Sequence, residues 1–116
     1  MTGMAASTLV GEKLDFRLHG YRKRGTEIGI VVAEDEETLT VRIRKSYHVI
    51  GREDGFEVKS EGTSEWLYIS PNLLRAMEMV KHFEPEERHR LIATFHAAFS
   101  IENASYFPPA ALRNYT

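Results

Sequence analysis

Residues 26–45, TEIGIVVAEDEETLTVRIRK, decide the fold, because two strand-like runs flank a single acidic turn, Glu34-Asp35-Glu36-Glu37. Setting Ala33 against Thr38 places Val32 opposite Leu39, Ile30 opposite Val41 and Ile28 opposite Ile43. Three apolar pairs then share one face, and a slip of one residue would turn a strand's whole apolar set to the other side. Gly29 falls opposite Arg42, a thin place where a bend or a close backbone approach is expected.

Upstream, LDFRLHG alternates Leu14, Phe16 and Leu18 with Asp15, Arg17 and His19, the period of a half-buried strand. Residues 1 to about 11 read as a frayed terminus. Downstream, the third strand is expected to run on through Tyr47 and Val49, with a bulge near Lys45. Gly51 and Asp54-Gly55 mark a turn, and GFEVKS and SEWLYIS supply the fourth and fifth strands. The last of these is apolar on both faces. Either it is covered on both sides, or one of the pairs Trp66/Tyr68 and Leu67/Ile69 is a contact surface.

The pattern changes at Ser70-Pro71, an N-cap followed by a proline suited to the first helical position. Leu73, Leu74, Met77 and Val80 recur at helical spacing. Glu84-Pro85 ends that helix and opens a second, with stripe Leu91, Ile92, Phe95, Ala98 and Phe99. The expected fold is α+β: a small five-stranded antiparallel sheet or partly closed barrel, followed by a C-terminal helical hairpin. It resembles SH3-like small barrels in strand number and turn spacing, a resemblance of architecture that implies no function. One domain is expected over 1–116, β-rich over 12–69 and helical over 70–116.

The chain has 116 residues, 42% hydrophobic and 28% charged, a globular composition. Its net charge of −2 argues against a generally basic coat for nucleic acid. The absence of cysteine excludes disulfides and thiolate metal sites. The opening residues lack a basic, then apolar, secretory pattern, and no apolar run is long enough to span a bilayer, so a cytoplasmic, non-membrane protein is expected.

Charge is nevertheless segregated. Residues 17–24 and 42–52 carry bases without acids, whereas 27–37 carry acids without bases. The hairpin register sets Arg44 opposite Glu27 and Tyr47 opposite Arg24, gathering both basic clusters at its open end. The leading expectation is a non-catalytic regulatory or adaptor module that binds nucleic acid or a nucleoprotein. Its contacts would come from Tyr21, Arg22, Lys23, Arg24, Arg42, Lys45, Tyr47 and His48. The alternative is a protein-binding inhibitor or accessory factor, of the kind mobile elements encode, docking through Glu34, Asp35, Glu36, Glu37 and an exposed Trp66. A homodimer built on the Ala- and aromatic-rich C-terminal segment is a further possibility.

Catalytic motifs are weak. Glu57-x-Lys59, with Asp35 or Asp54 upstream, is similar to the carboxylate–lysine set of restriction-type nucleases, but the strand–helix order does not fit that fold. Phosphate-cradling glycine motifs and a nucleophile elbow are absent. His82, His89 and His96 recur every seven residues, which separates successive members by about 10.5 Å on a helix, too far to share an ion. No catalytic residue, metal site or cofactor is expected.

Overall fold

The computed structural model describes residues 7–20, 24–58 and 65–99, with only the backbone at His19, Gly20 and Arg24. Five antiparallel strands, β1 (Lys13–Gly20), β2 (Arg24–Glu34), β3 (Thr38–Ile43), β4 (Ser46–Gly51) and β5 (Glu65–Tyr68), are followed by helices α1 (Pro71–Val80) and α2 (Pro85–Ala98). The strand order is β4-β3-β2-β1-β5, a meander whose last strand returns beside the first. Residues 55–58 nearly close the barrel by bonding to both outer strands. Gly51 N donates to Phe56 O and Val58 N to Val49 O on one side, while Glu57 N donates to Leu67 O and Ile69 N to Gly55 O on the other. Gly55 is required there: its φ is +77°, and a Cβ would lie 1.9 Å from Ile69 O.

The hairpin forms, but β2 presents the face opposite to the one expected. Ile30 pairs with Arg42 and Val31 with Val41, and a bulge between Val31 and Ala33 shifts the pairs beyond it to Ala33–Thr40 and Glu34–Leu39. Val31 is therefore buried, while Ile28 is 63% exposed and Val32 lies outside. Gly29 explains the choice. It sits between β1 and β3, where a Cβ would meet Ile43 Cγ1 at 3.1 Å, Phe16 Cε2 at 3.2 Å and Val41 Cβ at 3.3 Å. The small barrel spends its interior on Phe16, Val41 and Ile43, and branched side chains from Ile28, Ile30 and Val32 would overfill it.

The third strand does not run on. Ile43 pairs with Ser46 across the two-residue turn Arg44-Lys45, and Arg44 adopts φ 57°, the left-handed geometry such tight hairpins demand. Residues 56 and 57 make only isolated bridges instead of a full strand, so the fourth strand is Ser46–Gly51, not GFEVKS. The expected frayed terminus is also corrected in part: Leu9 is fully buried in the core, and Gly11 N donates to Val31 O.

Trp66, Leu67, Tyr68 and Ile69 are all buried, so β5 is covered on both faces. Ser70 Oγ accepts from Asn72 N and Leu73 N and caps α1, whose Leu73, Leu74, Met77 and Val80 complete the core. α2 begins at Pro85 and buries Ile92, with Leu91, Phe95 and Phe99 packed at the margin. Ala98, expected on that stripe, is exposed. Arg88 takes an inward place instead: its Nε donates to Glu12 Oε2 at 2.6 Å, and both side chains are buried.

Candidate interaction surface

Strand alternation divides β3 into inward Leu39, Val41 and Ile43 and outward Thr38, Thr40 and Arg42. The pairings carry that outward set across the sheet. Lys13 of β1 faces Ile30 of β2, Ile30 faces Arg42 of β3, and Arg42 faces Tyr47 of β4. These four residues form one cross-strand row, about 14 Å long at ~4.8 Å per strand. Lys13 and Arg42 are exposed, Tyr47 is 66% exposed, and Ile30 is half-buried between them. Ile28, Val32 and Val49 flank the row as exposed aliphatics. Arg44, 84% exposed and 3.5 Å from Glu27, and the exposed Lys45 stand at the adjoining turn.

The bipolar charge pattern takes a different form from the one expected. Tyr47 faces Arg42, not Arg24, because the chain reverses at Arg44-Lys45 while β2 continues past that turn. Arg52, grouped by sequence with the basic end, lies at the acidic one, since β4 runs back toward it. Its Nη1 bonds Asp35 O and lies 3.6 Å from Glu34, and its Nη2 pairs with Glu78 of α1. Burial pushes the Glu78 carboxyl up, but hydrogen bonds from Lys81 and Arg52 outweigh it and hold it below its ordinary value.

Of the expected nucleic-acid contacts, Arg42, Lys45 and Tyr47 come together on this surface. Tyr21, Arg22, Lys23 and the Arg24 side chain lie outside the described residues. His48 is a correction: it sits on the inward side of β4, opposite Val41, with Nδ1 2.6 Å from Glu57 Oε2. This pair lines a pocket of about 200 Å³ at the barrel mouth, with Glu27 and Glu65 nearby. Lys13 was missed. It begins β1 beside an alternating pattern, and only the register across four strands places it in the row.

The acidic set fares less well as a docking surface. Glu34 is half-buried, its Oε1 accepting from Leu9 N at 3.2 Å. Asp35 organises the turn, with Oδ1 accepting from Glu37 N at 2.8 Å and Thr38 N at 2.7 Å, bonds that hold its carboxyl below the ordinary value. Glu36 and Glu37 remain exposed. Trp66, 6% exposed, is buried and so does not stand out as the external anchor expected of it. Glu57 is buried against His48, and Lys59 lies outside the described residues. Among the described residues no three His, Asp or Glu side chains gather into a metal-holding group, and no helix is long and apolar enough to cross a membrane. A separate cleft of about 540 Å³ lies between the entry to β1 and α2, lined by Glu12, Asp15, His89, Ile92 and His96.

No family model, curated protein or solved structure matches this chain.

Proposed function

We propose that the protein is a non-catalytic binding module that engages nucleic acid, alone or within a nucleoprotein, through the outer face of β2, β3 and β4. The observation that carries this reading is the direct cross-strand pairing of Arg42 with Tyr47 on a solvent-facing sheet, with Arg44 and Lys45 exposed at the adjoining turn. A guanidinium beside an aromatic ring supplies a phosphate contact and a stacking surface within one strand spacing.

The test is fluorescence anisotropy with labelled oligonucleotides at about 50 and 200 mM salt. With three to four phosphate contacts the logarithmic salt slope is about −2 to −3, so affinity falls roughly 15- to 65-fold over that range. The Arg42→Ala/Lys45→Ala double variant should flatten the slope. Salt-independent binding, or none, refutes the reading.

A second reading is favoured by one observation: Ile28, Val32 and Val49 are exposed together on the same face. Apolar side chains around an Arg–Tyr pair are also the composition of a protein interface. In that case Ile28→Asp abolishes partner binding, whereas added salt leaves it nearly unchanged.

A further inference from the structure

Resting on the nucleic-acid reading, we infer that the row Lys13–Ile30–Arg42–Tyr47 is a platform for single-stranded nucleic acid and discriminates against duplex. The row crosses four strands. Its members alternate in kind, so that cations at Lys13 and Arg42 stand beside an aliphatic and an aromatic surface at Ile30 and Tyr47.

Two features select an unpaired strand. The first is the kind of contact offered. Tyr47 and Ile30 lie on a broad sheet face and need the flat side of a base, which a duplex keeps inside its stack. The grooves of a duplex admit a helix or a two-stranded ribbon, not the face of a barrel.

The second is the distance between the two charge regions. From Arg42 to Thr38 is four residues of β3, about 14 Å, and beyond Thr38 stand the exposed Glu36 and Glu37. A duplex major groove is about 12 Å across. One backbone seated on Arg42, Arg44 and Lys45, with the groove facing the sheet and the second backbone on the Thr38 side, would bring that second backbone onto the acidic turn. A single strand has one backbone, which can follow the row and avoid the acids. Arg52 does not relieve this conflict, because it is engaged with Glu34, Glu78 and the Asp35 carbonyl.

The experiment compares one labelled 12-nucleotide DNA, single-stranded or annealed to its complement, on the full chain at about 50 mM salt. The expected result is at least tenfold tighter binding of the single strand. Tyr47→Ala should weaken it by about tenfold, the loss of one base–aromatic stack, while Tyr47→Phe retains it. Tyr47 is exposed, so neither change threatens the fold. Glu36→Gln/Glu37→Gln should strengthen duplex binding and leave single-strand binding within about twofold. Equal affinity for the two forms, or indifference to Tyr47→Ala, overturns the single-strand inference and leaves nucleic-acid binding standing. No binding of either form overturns both readings.

Discussion

Glu12, at the entry to β1, and Arg88, in the first half of α2, meet through a 2.6 Å bond between Oε2 and Nε, and both are nearly inaccessible to solvent. His89 Nδ1 lies 2.6 Å from the same carboxylate oxygen, and Arg88 Nη1 also reaches Lys81 O at 3.4 Å. One buried carboxylate thus ties the second helix to the start of the sheet, across 76 residues of sequence.

Removing Arg88 leaves the buried Glu12 carboxylate with only the half-exposed His89 ring beside it. Arg88→Met is expected to cost about 3–5 kcal/mol in urea unfolding, whereas Glu12→Leu combined with Arg88→Met should recover most of that loss. A single-variant cost below about 1 kcal/mol would mean that water or a rearranged partner takes over the charge.

Gly55 closes the barrel in a conformation closed to other residues. Gly55→Ala must accommodate both φ +77° and a methyl against Ile69 O, and is expected to cost about 2 kcal/mol or more. Gly25→Ala is the control, since a Cβ there meets nothing within 4 Å. Its effect should stay within about 1 kcal/mol. Thermal unfolding of the two variants side by side checks the contrast.

The Asp35 turn predicts an acid-sensitive contribution to stability. Its carboxyl is held below the ordinary 3.8 mainly by the Glu37 and Thr38 amides. A depressed folded-state pKa stabilises the fold above the ordinary value, and the contribution is lost as pH falls through the folded-state pKa. The stability gap between the native chain and Asp35→Asn should therefore be full near neutrality and shrink below pH 3.8. Melting curves between about pH 6 and pH 2.5 measure it. A gap that stays constant across that range removes the role given to the carboxylate.

The face presented by β2 is open to direct test. Val31→Ala should cost about 2 kcal/mol and Gly29→Ala about 1–3 kcal/mol, because one leaves a hole and the other overfills it. Ile28→Ser should lie within about 0.5 kcal/mol of the native chain, as expected for a side chain 63% exposed. The reverse ranking would restore the register in which Ile28, Ile30 and Val32 point inward.

The helical half was legible because its signals are local. Ser70-Pro71 and Glu84-Pro85 each set a helix start within two residues, and α1 follows its apolar stripe. The number of strands and the acidic hairpin tip were legible too. The inward face of β2 was not. Ile28, Ile30 and Val32 form a better apolar set than Gly29 and Val31, and only the volume of Phe16 and its neighbours decides between them. The turn at Arg44-Lys45 was hidden because neither residue is a turn former, yet this turn takes Tyr47 to Arg42 and Arg52 to the acidic end. The Glu12–Arg88 pair has no local signature at all. Hence Arg42, Lys45 and Tyr47 could be read as surface candidates, whereas Lys13 and the true place of His48 depended on the three-dimensional register.

Residues 55–58 also determine how this protein can be touched. By bonding to β4 on one side and β5 on the other, they occupy main-chain groups that an open sheet would leave to foreign strands, the usual start of edge-to-edge aggregation. The exposed Val49 is thereby displayed to water without a free backbone template beside it for fibril growth. Along the occupied part of those edges a ligand has no backbone ladder to extend, so its recognition there rests on side chains.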